Sequence, residues 1–283
     1  MDAKEVIQAV LARLQGVLGI EAIVLGGSRA MGTHVASSDI DIGLYYRAER
    51  PLDLTALGQA AAELDDERRH DLLTALGGWG PWINGGGWLQ VGGIAVDFIY
   101  RELGRIEEVI TACRAGRLEF AYQPGHPHGF ASSIYMGEVA YCRPLWDPRG
   151  TIAALKEQTA PYPEALSTEI IRRFFWEAEF SLKTARKGAA RGDLTYVSGS
   201  CFRCVSALLQ TLFALNGRYL LNEKGALATA TSMPHAPHDL RARVEAAFRM
   251  LGEQDGLAGA VQNLEALVAE TDALLQRTRQ TPR

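Results

Sequence analysis

The stretch Gly26-Gly-Ser-Arg-Ala-Met-Gly-Thr-His-Val-Ala-Ser-Ser-Asp-Ile-Asp-Ile-Gly-Leu-Tyr-Tyr46 decides how the chain is read. It follows an apolar run, Ile23-Val24-Leu25, and ends in another, so a turn of small residues stands between two predicted strands, 21–26 and 39–46. Two carboxylates interrupt the second run. On a strand, residues i and i+2 face the same side. Asp39 and Asp41 are therefore expected to project together, while Ile40 and Ile42 point the other way into a core. Carboxylates held so close repel, and one would keep its proton. A divalent cation removes that conflict, and Mg²⁺ favours one or two carboxylates completed by substrate phosphate oxygens.

The turn complements the carboxylates. Small residues at Gly27-Ser28 let a ligand approach the backbone closely and present N–H groups to a phosphate. A third carboxylate, Asp97, falls between Val96 and Phe98 in a later predicted strand, a costly place for a charge unless it is coordinated or paired. Asp-x-Asp by itself is weakly specific. A Ca²⁺ loop needs Gly at its sixth position and a distant Glu, whereas here Gly43 is fifth. A phosphoryl-accepting Asp-x-Asp, or that of a sugar-nucleotide glycosyltransferase, leaves the upstream Gly-Ser unexplained. A turn-capping Asp39 beside a solvated Asp41 is the blandest account, and the joint presence of Gly27-Ser28 and Asp97 weighs against it.

Outward from this centre, residues 2–18 and 56–64 read as helices. Residues 77–88, rich in Gly and Trp, read as a loop, and 89–100 as one bent strand with Gly92-Gly93 as its kink or bulge. A helix is expected over 103–114, a turn cluster over 122–129, a short helix over 132–140 and an extended piece over 141–146. After Pro148 the pattern is helical, with helices expected over 168–190, around 205–215, over 239–251 and over 257–277. The fold class is accordingly α+β: a small mixed sheet with flanking helices in 1–148, followed by an all-helical domain in 149–283.

The 283 residues carry a net charge of −4, which disfavours a duplex-DNA binder without excluding nucleic acid. Four cysteines in a chain of this length suggest no disulfide framework. The charged start lacks a signal-peptide core, and no apolar run reaches the ~18 residues of a membrane span. These features predict a cytoplasmic protein with reduced thiols and no membrane partner.

Gly27-Ser28, ten intervening residues, Asp39-Ile40-Asp41, and Asp97 on a later strand together resemble the DNA polymerase beta-like nucleotidyltransferases, over roughly residues 20–100. The helical back half resembles that of small-molecule members acting on aminoglycosides and lincosamides. There, Leu215-Asn-Gly-Arg-Tyr-Leu-Leu-Asn-Glu-Lys224 is similar to the segment that places a lysine on the triphosphate. The resemblance implies transfer of NMP from an NTP, with ATP as donor, to a hydroxyl of a small antibiotic-like molecule, with pyrophosphate leaving. It implies two Mg²⁺ ions held by Asp39, Asp41 and Asp97, with Asp97 also accepting the acceptor's proton. Gly27 and Ser28 would grip the β- and γ-phosphates, and Lys224 with Arg203 would neutralise the leaving charge. Both substrates would sit in a cleft between the domains, and homodimerisation is left open. A tRNA or protein acceptor, as in toxin–antitoxin members, is the alternative, followed by a nucleotide-binding protein that has lost catalysis.

Several residues keep two readings. Arg29 either reaches a phosphate or is a solvated helix-start arginine, and Arg203 either lines the cleft or pairs with an acidic side chain. Cys201 and Cys204 read as helix core rather than metal ligands. His126, His128, His235 and His238 make a metal site only if their two segments meet. The tryptophans of 77–88 either stack on a base or sugar or pack on their own sheet, and Glu177, Glu179 and Asp193 are available to a cationic acceptor.

Overall fold

Asp2 opens the first helix. Its Oδ1 accepts from the Glu5 amide and the Glu5 carboxylate accepts from the Asp2 amide, both at 2.8 Å, a capping box that satisfies two otherwise free N–H groups. In the computed structural model, which describes residues 1–280, this helix is α1 (Ala3–Leu14), shorter than the expected 2–18. The chain divides into two compact units: Met1–Thr111 with Tyr135–Pro161, and Ala112–Ile134 with Tyr162–Arg283. Residues 112–134, expected with the front half, pack in the second unit, and 149–161, expected with the back half, pack in the first.

In the first unit the chain runs from α1 through β1 (Ala22–Leu25), α2 (Gly27–Met31), β2 (Ile40–Tyr46) and α3 (Leu54–Leu64). It continues through β3 (Gly86–Val91), β4 (Ile94–Glu102) and α4 (Leu103–Arg114). After the excursion into the second unit, whose hairpin consists of β5 (Phe120–Gln123) and β6 (His126–Ala131), come α5 (Ser133–Tyr141), β7 (Arg143–Trp146) and α6 (Thr151–Gln158). Five strands form a mixed sheet in the order β3-β4-β2-β1-β7, in which β2 and β4 are parallel and the other pairs antiparallel.

The expected bent strand 89–100 is a hairpin instead. Gly92 and Gly93 have φ of +58° and +76°, the left-handed values of a two-residue hairpin turn, so two strands pair where one was expected. Strand β3 begins at Gly86 and takes Trp88 out of the expected loop.

Alternation sets the two sheet faces. Ile40, Ile42, Leu44, Val96 and Phe98 are completely buried, in one core with Val6, Val10 and Leu14 of α1 and Leu57 of α3. On the strand positions between them, Asp41 and Asp97 are only partly covered. Farther along β4, Arg101 is 4 % exposed and makes a bidentate pair with Glu138 of α5, both bonds 2.7 Å. That pair neutralises the buried guanidinium, and breaking it would leave an unpaired interior charge.

Among its described residues, the second unit's regular structure is helical apart from the β5–β6 hairpin. It holds α7 (Glu164–Ala189), α8 (Leu194–Leu215), α9 (Ala226–Thr231), α10 (Leu240–Met250) and α11 (Gly256–Gln280). Asp193 caps α8 by accepting from the Tyr196 amide, so its carboxylate is already engaged. Of the described helices, α8 alone has the length and mean hydropathy, 1.2, of a membrane span, and 72 % of that window is buried inside the protein. Its apolar character is that of a core helix: Cys201, Cys204, Val205, Leu208 and Leu212 all lie in the interior.

Candidate active site

Strand register builds the site. In the parallel pair β2–β4, Asp41 stands directly opposite Asp97. In the antiparallel pair β3–β4, Asp97 stands opposite Trp88. On the other side of β2, the Gly26 amide donates to the Asp41 carbonyl at 2.8 Å. One row across three strands therefore reads Trp88, Asp97, Asp41, with roughly 4.8 Å between neighbours, and continues to Gly26 just past the end of β1. Partners in register face the same side of the sheet, so Trp88 and both carboxylates share the incompletely covered face.

Gly27 is packed against Asp41. A Cβ added at Gly27 would lie 1.8 Å from Asp41 Oδ2 and 2.6 Å from its Cγ, and the residue has φ of +57°. Only a glycine lets the turn and the carboxylate come this close. Gly27 and Ser28 are the first residues of α2, and the Ser28 carbonyl accepts from the Thr33 amide, which closes the turn.

Arg29 is engaged by the backbone. Its Nε donates to the carbonyls of Ser38 at 3.2 Å and Asp39 at 3.0 Å, and its Nη2 donates to Ser38 at 2.6 Å. It ties α2 to the chain just before β2. Asp39 precedes the first paired residue, Ile40, and its side chain is exposed. Pairing thus fixes Asp41 and Asp97 beside each other, while Asp39 is held through its carbonyl. Among the described residues, no group of three or more His, Cys, Asp or Glu side chains is disposed about a common ion position. Two carboxylates on adjacent strands still suit a hard cation completed by phosphate oxygens.

Arg203 and Lys224 lie in the second unit. Arg203 Nε meets Glu177 Oε1 at 2.6 Å, and His128 Nε2 meets the same oxygen at 3.1 Å. Glu177 is 9 % exposed. Burial alone would raise its pKa, but His128 and Arg203 outweigh burial and hold it below the usual glutamate range. Glu177 is therefore occupied internally and not available to a cationic acceptor, whereas Glu179 is exposed. The adjacent loop is tied in the same way: Glu223 Oε1 accepts from the His128 amide at 2.7 Å, and Glu223 Oε2 lies 3.6 Å from His126 Nδ1. Lys224, next in sequence, is exposed, and its amide donates to Asn222 Oδ1. His238 is exposed beside Asp239, and His235 is held by its amide on Asn216, so the four histidines do not form one site. Cys201 and Cys204 are buried free thiols, as a core reading requires.

Sequence reasoning missed the Glu177–His128–Arg203 cluster, because its members are distant in the chain. It also missed the alignment of Trp88 with Asp97, for which a signal existed in Gly92-Gly93.

Residues 3–78 match the nucleotidyltransferase domain family, a span that contains Gly27, Ser28, Asp39 and Asp41 but ends before Asp97. Residues 135–224 match a domain of unknown function, DUF4037, which contains Arg203 and reaches Lys224. No curated protein sequence matches the chain. Among solved structures, a nucleotidyltransferase-like protein from Exiguobacterium sibiricum 255-15 aligns over 100 % of this chain and 81 % of its own, with TM-score 0.43 and 10 % identity. The stretch 3–78 thus matches a nucleotidyltransferase domain. The chain is a nucleotidyltransferase, an enzyme that moves an NMP group from an NTP.

Proposed function

We propose that this enzyme transfers NMP, with ATP as donor and Mg²⁺ as cofactor, to a hydroxyl of a small polyhydroxylated molecule of the aminoglycoside kind. The observation that carries this reading is the row in which Asp41 faces Asp97 on one side and lies under the Gly27 turn on the other. A turn that admits phosphate beside a carboxylate pair is what an in-line transfer at a nucleoside triphosphate needs.

Asp41 and Asp97, with Asp39 at the strand entry, are the residues that would hold up to two Mg²⁺ ions. The ions, when bound, would offset charge on the triphosphate and on the attacking and departing oxygens. Gly27 and Ser28 seat the β- and γ-phosphates through their backbone. Arg29 acts as a positioning residue that sets Asp39 through its carbonyl. As the acceptor oxygen bonds to the α-phosphorus, the bond to the β-phosphate bridging oxygen breaks and pyrophosphate leaves. The acceptor's proton passes to the Asp97 carboxylate. Lys224 and Arg203 are assigned to the departing pyrophosphate. Since Arg203 already pairs with Glu177, Lys224 is the freer cation of the two. We place the catalysis in a cytoplasmic setting and assign the chemistry to the region 1–148 and nucleotide or substrate contacts to 149–283.

The test is thermal unfolding with each of the four NTPs, with and without Mg²⁺, on wild type and Asp41→Asn. A ligand at 100 times its Kd stabilises by about 2.7 kcal/mol. A Mg²⁺-dependent shift, largest with ATP and lost in Asp41→Asn, is expected. Equal shifts in both proteins would overturn the assignment of Asp41.

A further inference from the structure

The tryptophans of the Gly-rich stretch are built into the site face. Trp88 is on β3, the edge strand of the sheet, and is 60 % exposed despite its size. Trp79 stacks on it, with ring centroids 4.6 Å apart and planes 28° from parallel. Trp79 is seated over Gly86, where a Cβ would come within 2.8 Å of its Cζ3. One indole thus backs another, and the outer one stands directly opposite Asp97 in the strand register.

From this placement we infer that Trp88, backed by Trp79, is the acceptor platform, and that it takes a saturated polyhydroxylated ring, a pyranose or a cyclitol. The inference rests on the nucleotidyl-transfer reading above and adds the side from which the acceptor enters and its chemical class. The row has a direction. At the β1 end lies the Gly27 turn, in the middle lie the carboxylates, and on β3, whose outer edge is bridged by Leu73 and Thr74, lies the solvent-exposed indole face. Donor phosphates occupy the first end, so the acceptor approaches from the last.

The chemistry of the pair selects the ring. A saturated ring with equatorial hydroxyls turns C–H bonds to its faces and O–H bonds to its rim. An indole face accepts the first through dispersion and its negative quadrupole. A carboxylate only accepts hydrogen bonds, so Asp97 suits rim hydroxyls, one of which is the nucleophile. A flat heteroaromatic base would stack equally well. Its rim, however, mixes donors with acceptors, and a carboxylate repels the acceptors.

The experiment measures binding without nucleotide, by isothermal titration and saturation-transfer NMR. The probes are methyl β-D-glucopyranoside, 2-deoxystreptamine and kanamycin, with 1-naphthol as a flat probe. The proteins are wild type, Trp88→Ala, Trp88→Phe and Trp79→Ala. Binding of at least one ring probe to wild type is expected, weakened about tenfold or more in Trp88→Ala, a stacking contribution of about 1.4 kcal/mol. Trp88→Phe should retain most of the affinity, and Trp79→Ala should fall between. An unchanged Mg²⁺·ATP thermal shift in Trp88→Ala shows that the fold and donor site are intact.

Equal ring affinity in wild type and Trp88→Ala overturns the platform. Binding of 1-naphthol alone, or of no ring probe, overturns the ring class. Loss of the Mg²⁺·ATP shift in the wild type itself would count against nucleotidyl transfer, and the ring titrations would still decide the platform.

Discussion

Gly27→Ala tests the geometry of the site with a single methyl group. Two separate costs are legible. The left-handed φ of +57° costs an alanine about 1–2 kcal/mol. The new Cβ would also lie 1.8 Å from Asp41 Oδ2, short of ordinary C···O contact at ~3.3 Å by roughly 1.5 Å. The turn or the carboxylate must give way by that amount, and a misplacement near 1 Å costs a positioned reaction about 100-fold.

A control separates the two costs. Gly192, in the turn between α7 and α8, has φ of +69° and nothing within 4 Å of an added Cβ. Gly192→Ala should lose about 1–2 kcal/mol by urea unfolding and keep its turnover. Gly27→Ala should lose at least as much stability and, in a pyrophosphate-release assay, about 100-fold or more in kcat. It should also lose the Mg²⁺·ATP thermal shift. If Gly27→Ala turned over like Gly192→Ala, the close seating of the turn on Asp41 would have no part in catalysis.

Two further outcomes follow from the same structure. Arg29→Met removes the hydrogen bonds to the Ser38 and Asp39 carbonyls, so it should cost about 1–2 kcal/mol in urea unfolding and lower kcat more than it raises KM for ATP. A direct phosphate ligand would instead show chiefly as a higher KM. Glu177 has a folded pKa below its ordinary 4.5, so the unfolded chain binds more protons there and stability falls as pH drops below 4.5. Glu177→Gln should remove part of that acid sensitivity in pH-dependent thermal scans. Identical wild-type and variant slopes would mean that the His128–Glu177–Arg203 contacts do not persist in solution.

What could be read from the sequence depended on whether the determining contact was local. The α2 turn and strand β2 were legible because small residues, alternation and paired aspartates fall within about one turn and one strand. The helices of the second half were legible from their 3.6-residue period, as in α7 and α8. The assignment of 112–134 was not, because a hairpin's own pattern does not say which body it joins. Here Phe120 packs at 5.3 Å from Phe174 of α7, and His128 pairs with Glu177 on the same helix. Buried charge was likewise illegible: nothing around Arg101 in the chain announces Glu138, yet burial without that carboxylate would be prohibitive.

The hairpin at Gly92-Gly93 shows how much one turn decides. Read as a kink, the two glycines leave a single strand and put Trp88 in a loop. Read as a two-residue turn, they force Val91 opposite Ile94, then Gln90 opposite Ala95, Leu89 opposite Val96 and Trp88 opposite Asp97. The buried pair Leu89 and Val96 confirms the face, since a slip of one residue would send both to solvent. The same alternation holds on the other side of β4, where Val96 and Phe98 pair with Ile40 and Ile42 in the core and leave Asp97 facing Asp41. The position of the indole beside the carboxylates is thus a consequence of two glycines and a period of two. Chemistry at this site depends on backbone register before it depends on any side chain.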